Sequence, residues 1–161
     1  MYEFRPMTAT DLPLVKRWLR MPHVAEWWGV PDEQFDLVSG DLTHPAMDQY
    51  IVATNDRPFG YIQCYRMTEW NLGFGPQPEG ARGIDQMIGE PDMIERGHGS
   101  AFIRAFIEAL LADGVPRVVT DPDPTNGRAI RCYEKAGFAR DRLVDTPDGV
   151  ALLMIRNASS S

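Results

Sequence analysis

The chain has 161 residues, 43% of them hydrophobic, which suits one globular domain with a real core and leaves no room for a second. Its longest apolar runs, Ala109 to Ala112 and Val150 to Ile155, fall far short of the roughly 20 residues that span a bilayer, and the start of the chain lacks a basic-then-apolar leader. A cytoplasmic protein with no membrane partner is expected, the net charge of −7 argues against nucleic acid, and Cys64 and Cys132 lack metal-like spacing and read as reduced core or boundary residues.

Along the chain, Tyr2 to Arg5 alternates as a first strand, and Asp11 to Arg20 sets Leu12, Val15, Trp18 and Leu19 at helical spacing. Pro22, Gly29 and Pro31 break the next stretch into short pieces around Trp27 and Trp28, with Trp27 read as core, and a weaker helix is expected over Asp32 to Leu42. Gln49 to Thr54 and Phe59 to Met67 read as a hairpin around Asn55-Asp56-Arg57-Pro58, followed by a surface loop from Thr68 to Arg82. Gly83 to Ile88 is a short buried strand, and Ser100 to Ala112 is a helix with an apolar face from Phe102 to Leu111, ended by Gly114. Arg117 to Thr120 is another strand, and Asn126 caps a helix that runs to Ala136 and stops at Gly137. A hairpin from Phe138 to Val144 and Val150 to Arg156 turns at Thr146-Pro147-Asp148-Gly149. Residues 1–156 thus form a single domain, and 157–161 a flexible tail. The alternation of strands and helices in the second half predicts an α/β class with a mixed sheet.

Two stretches carry chemistry. The glycine turn Gly97-His98-Gly99-Ser100 opens a helix, where unsatisfied backbone N–H groups and the positive end of the helix dipole suit a pyrophosphate, with Arg96 as a cation at the rim. Glycine turns before helices are common, so a plain structural turn is the alternative, and His98 reads as an exposed turn residue rather than a catalyst. From Asn126 to Phe138, Tyr133 lies on a short helix that stops at a glycine, with Arg128 and Arg131 three apart on one face; those arginines meet a ribose phosphate or are merely solvated.

Together these stretches resemble the acetyl-CoA half of the GNAT superfamily of N-acetyltransferases. The resemblance extends through Glu26-Trp27-Trp28-Gly29, Gly60-Tyr61-Ile62-Gln63, Arg82-Gly83-Ile84-Asp85-Gln86, Thr120-Asp121-Pro122 and Thr146-Pro147-Asp148-Gly149, in the order found in aminoglycoside 6'-N-acetyltransferases. It implies a GNAT fold: a central, mostly antiparallel twisted sheet of six to seven strands flanked by helices, with an acetyl-CoA cleft between two central parallel strands. It also implies that Arg96 to Ser100, Asn126, Arg128 and Arg131 bind the coenzyme, that a strand amide near Met87 or Ile88 polarises the thioester carbonyl, and that Tyr133 assists the leaving thiolate. One departure stands out: relatives carry Gln or Arg three residues before the first glycine, where this chain has Ile94.

An amine attacks a thioester only with its lone pair free, so an ammonium substrate needs a carboxylate to hold the cation and accept or relay its proton. The resemblance puts that role at Asp85, whose alternative is a structural carboxylate paired with an arginine. It puts acceptor binding at Trp28, Gln63, Asp121 and Asp148, while Asp123 has a second reading as turn chemistry between Pro122 and Pro124. Residues 32–95 hold 12 acidic and 3 basic residues, a balance of −9, and residues 96–140 hold 5 acidic and 7 basic ones, a balance of +2. That split suits a cationic acceptor beside a phosphate-bearing donor. The expected activity is direct acetylation of a primary amine on a polycationic small molecule, most simply an aminoglycoside 6'-amine, by a monomer or homodimer without metal. Two rivals remain open: an acyltransferase for hydroxylysine-type siderophore precursors, which look similar around Pro22-His23-Val24 but favour His at the position of Asp85, and a regulatory acyl-CoA-binding module without turnover.

Overall fold

Local chemistry sets most boundaries seen in the computed structural model, which describes residues 1–159. Among the described residues there are seven strands, β1 (Tyr2–Pro6), β2 (Met47–Thr54), β3 (Arg57–Arg66), β4 (Arg82–Ile88), β5 (Arg117–Thr120), β6 (Ala139–Thr146) and β7 (Gly149–Asn157). Five α-helices accompany them: α1 (Leu12–Leu19), α2 (Pro22–Trp28), α3 (Pro31–Gly40), α4 (His98–Ala112) and α5 (Gly127–Lys135). The strands hydrogen-bond in the order β1-β2-β3-β4-β5-β7-β6. β1/β2, β5/β7 and β6/β7 are antiparallel, and β4/β5 is parallel, with Arg82 opposite Val118 and Gly83 opposite Val119. This is the mixed sheet that the residue pattern predicts, mostly antiparallel as the resemblance implies.

The chain divides into two compact units, Met1–Cys64 with Asp85–His98, and Tyr65–Ile84 with Gly99–Ser161. In the first, α1 buries Val15, Trp18 and Leu19 in a core with Val24, Val38, Ile51, Tyr61 and Met87. The Trp18 indole lies so close to Gly89 that a Cβ there would collide with its ring, and its N–H donates to Glu90 at 2.7 Å, which satisfies the one polar atom that burial exposes to cost. Pro22 starts α2 and Pro31 starts α3, positions where a missing N–H and a fixed φ are harmless. The stretch breaks where expected, into the short helix α2, closed by Gly29, and α3 from Pro31, with Val24 and Trp28 four apart on the inner face of α2. Trp27 falls off that face and is 41% exposed, so its assignment to the core is corrected. The β2–β3 turn is also tighter than expected. Asn55 and Asp56 alone make it, with φ of 49° and 64°, the left-handed pair that a two-residue hairpin requires, and Arg57 and Pro58 already belong to β3.

In the second unit α4 buries Phe102, Ile103, Phe106 and Ile107. Asn126 caps α5 by accepting the Ala129 N–H at 3.2 Å, and Gly137, at φ 98°, ends it as expected. The segment from Thr68 to Arg82, expected as a plain surface loop, gives up Arg82 to β4 and is otherwise pinned from within. Phe74 is fully buried, Asn71 accepts its N–H and donates to Gly75 O, and Arg142 donates to Phe74 O at 2.6 Å. Burial of that one phenyl group contributes about 2–3 kcal/mol, enough to order a stretch without regular structure. Asn157, expected in the tail, instead closes β7 opposite Arg117, and the Ala158 N–H donates to Pro116 O. Ser160 and Ser161, the end of that tail, lie outside the described residues.

Candidate active site

In the first unit, β3 turns Tyr61 and Gln63 to one face by the two-residue period of a strand, and β4 brings Asp85 against them. The phenol of Tyr61 donates to Gln63 Oε1 at 2.7 Å, and Gln63 Nε2 donates to Asp85 Oδ2 at 3.0 Å. Burial pushes the Tyr61 phenol far above its ordinary range, opposed by a hydrogen bond with Gln49 and reinforced by the Asp85 carboxylate, so the phenol stays protonated and acts as donor. Gln49 is itself buried and donates to Val38 O at 2.8 Å. The Trp28 ring meets Tyr61 edge-on at 6.1 Å, and its indole N–H donates to Gln86 O at 3.2 Å. Trp28, Gln63 and Asp85, three of the residues singled out in the sequence, therefore share one tied cluster. Asp85 is half-buried and accepts from Gln63 Nε2. Met87 is buried in the core, and Ile88 O accepts a hydrogen bond from His23 Nε2 at 2.8 Å.

The glycine turn sits differently from expectation in one respect. α4 begins at His98, so Gly99 and Ser100 form its first turn, preceded by Arg96 and by Gly97 at φ 83°. His98 is no exposed turn residue: half-buried, its Nδ1 lies 2.8 Å from the Tyr2 hydroxyl, and its ring packs on Phe59 and Tyr2. Its side chain is spent on anchoring the helix start to β1 and β3. Arg96 is exposed, and a Cβ at Gly97 would meet nothing within 4 Å. An anionic group can approach such a helix end without obstruction by a side chain of this turn.

In the second unit Tyr133 is 5% exposed on α5, its ring edge-on to Phe138 at 5.5 Å. Burial pushes the neighbouring Cys132 thiol up to about 11. Asn126 spends its side-chain oxygen on the helix cap, while Arg128 and Arg131 are exposed on α5. Asp121 is half-buried just beyond β5, and Asp148 is exposed in the β6–β7 turn, its N–H donating to Thr146 Oγ1. Asp123 accepts from both the Thr125 N–H and hydroxyl, at 2.8 and 2.7 Å, and these bonds hold its carboxyl below the usual range, in keeping with its reading as turn chemistry.

Three contributors escape a sequence reading. Gln49 sets a polar group on the inward parity of Met47, Gln49 and Ile51, a weak but real signal of a buried hydrogen bond. His23 has no such local pattern, because its partner Ile88 O lies 65 positions along the chain, and the bond from Tyr61 to Gln63, two residues on, leaves no mark in the residue pattern. Among the described residues no group of three or more His, Cys, Asp or Glu side chains gathers as for a metal ion, and no helix is long and apolar enough to cross a membrane.

A family profile described as an acetyltransferase (GNAT) domain matches residues 7–146. Aminoglycoside N(6')-acetyltransferase type 1 of Klebsiella pneumoniae is 38% identical over 162 residues, covering 94% of this chain and 81% of that protein. A kanamycin resistance protein of Rhizobium radiobacter is 49% identical over 78 residues, 48% of this chain and 72% of that protein. Among solved structures, the aminoglycoside acetyltransferase AAC(6')-Ib in complex with coenzyme A and kanamycin matches with a TM-score of 0.88 at 36% identity, over 98% of this chain and 95% of that one.

Proposed function

The chain belongs to the GNAT acetyltransferase family, and from that premise we propose that it transfers the acetyl group of acetyl-CoA to the 6'-amine of an aminoglycoside by direct attack. The observation that carries the acceptor side is the Tyr61–Gln63–Asp85 chain, which fixes a carboxylate on β4 beside Trp28. A carboxylate in that place suits a cationic acceptor. Aminoglycoside acetyltransferases are similar over 94% to 98% of this chain, which supports the same acceptor class.

Acetyl-CoA, when bound, supplies the activated acyl group. The residues of this chain then divide the work. Arg96 and the start of α4 from Gly97 to Ser100 hold the pyrophosphate, helped by Arg128 and Arg131, and Asn126 lies along the pantetheine arm. Asp85 orients the ammonium and takes its proton, Trp28 and Gln63 bound the sugar, and Asp121 and Asp148 bind its other amino and hydroxyl groups. The Ile88 amide polarises the thioester carbonyl, Met87 backs it from the core, and Tyr133 gives the departing sulfur a proton. The protein works as a single cytoplasmic domain.

The test is release of free thiol from acetyl-CoA with kanamycin, with hydroxylysine and without acceptor, followed by product mapping. Acetylation at the 6'-amine is the expected result, and Asp85→Asn should lower turnover by about 10²- to 10⁴-fold. Activity on hydroxylysine alone would transfer the assignment to the siderophore precursors, and binding without thiol release would leave a regulatory module.

A further inference from the structure

Strand β4 has two edges, and the side chains that serve them differ. The Gly89 N–H donates to Phe59 O at 2.8 Å, so the groups of Gly89, and by alternation Met87, face β3. The polar groups of Gln86 and Ile88 therefore face the other edge. Both carbonyls there take donors from the same short helix: Trp28 Nε1 donates to Gln86 O, and His23 Nε2 to Ile88 O at 2.8 Å. A carbonyl can only accept, so His23 carries its proton on Nε2. The spacing is matched. Five residues of helix advance about 7.5 Å, and two residues of strand advance about 6.6 Å, so one helix laid along the strand reaches both carbonyls.

We propose that His23 is a positioning residue for acetyl transfer, acting through the backbone of β4. The peptide unit from Ile88 to Gly89 is clamped at both ends, by His23 on its oxygen and by Phe59 O on its N–H. The unit from Gln86 to Met87 is held at its oxygen by Trp28. Between them the unit from Met87 to Ile88 turns its N–H to the edge where both neighbouring carbonyls are engaged. An acyl oxygen that gains negative charge there meets a donor and not two exposed acceptors. α2 thus converts a strand edge of mixed polarity into one that presents donors. Neither His23 nor Trp28 needs to touch the reacting atoms for this. The inference rests on the assignment of the Ile88 amide to the thioester carbonyl.

The experiment compares His23→Leu with His23→Gln, measuring kcat, both KM values and the thermal midpoint. Leucine removes the donor and keeps the bulk, so kcat should fall about 10- to 100-fold at saturating substrates, with each KM within about 3-fold of wild type. Glutamine restores an N–H within reach of Ile88 O and should return kcat to within about 3-fold of wild type. A leucine variant that unfolds is read through the glutamine variant and through His23→Asn, which is shorter and should recover less. The inference is overturned if the leucine variant keeps wild-type kcat, or if the glutamine variant falls as far as leucine. A wild-type protein that releases no thiol from acetyl-CoA with any amine would overturn the acetyltransferase reading itself, and the role of His23 with it.

Discussion

At the scale of single residues, adjacent side chains on α5 separate cleanly. With its thiol pushed up to about 11 by burial, Cys132 is ionised in roughly one molecule in ten thousand at pH 7. A covalent acyl-enzyme at that sulfur has no nucleophile to start from. Cys132→Ala should therefore keep kcat within about 2-fold, whereas Tyr133→Phe, which removes one hydroxyl and little volume, should cost about 10- to 1,000-fold in turnover with coenzyme affinity nearly unchanged. Equal losses in steady-state kinetics of the two variants would contradict that division. The residues proposed for chemistry stand out in the sequence because each type is costly to place casually, as with Asp85 on an apolar strand. The surroundings of Trp27 and His98 were not legible there. An aromatic beside another aromatic gives no sign of which faces inward until the helix phase is known, and α2 is too short to fix that phase from periodicity. His98 owes its burial to Tyr2 and Phe59, 96 and 39 positions away in the chain, which no local window contains.

Elements bounded by their own caps were read almost to the residue: Asn126 and Gly137 enclose α5 because an acceptor for exposed N–H groups and a left-handed terminus are local requirements. The turn after β1 is as local. Asp11, 8% exposed, accepts two hydrogen bonds from Arg5 at 2.8 and 2.9 Å and one from the Thr8 N–H at 2.9 Å, fixing the entry to α1. The Arg5 guanidinium is the main reason that this carboxyl lies below its ordinary range. Its stabilising effect is complete above the unfolded value near pH 4 and disappears as pH falls through the lower folded value. Asp11→Asn should cost about 2 kcal/mol at neutral pH, roughly 4–8 °C in thermal midpoint for a chain of this size. The difference from wild type should shrink toward zero in strong acid. A constant difference across pH 2 to 7 would mean that the side chain acts by shape and not by charge. The loop from Thr68 to Ala81 was opaque for the opposite reason, since Phe74 is buried by tertiary contact without any repeating pattern around it.

Over the whole molecule, charge is distributed in blocks, −9 over residues 32–95 and +2 over residues 96–140. An acceptor drawn to the acidic block should bind less well as salt shortens the screening length from about 10 Å at 0.1 M to about 3 Å at 1 M. The kcat/KM for a kanamycin-like substrate should fall steeply over that range, while a neutral amine should change little; equal salt dependence would remove electrostatic selection. One further consequence comes from the Tyr61–Gln63–Asp85 chain. Acetylation of an ammonium yields an amide, a thiol and one surplus proton per turnover. A carboxamide N–H donates but does not pass a proton onward as a hydroxyl or water does, so Gln63 insulates the phenol behind it from the carboxylate in front. In the proposed transfer, a proton taken up by Asp85 therefore leaves by a path other than the Tyr61 phenol, so the recharging of the base does not draw on the interior.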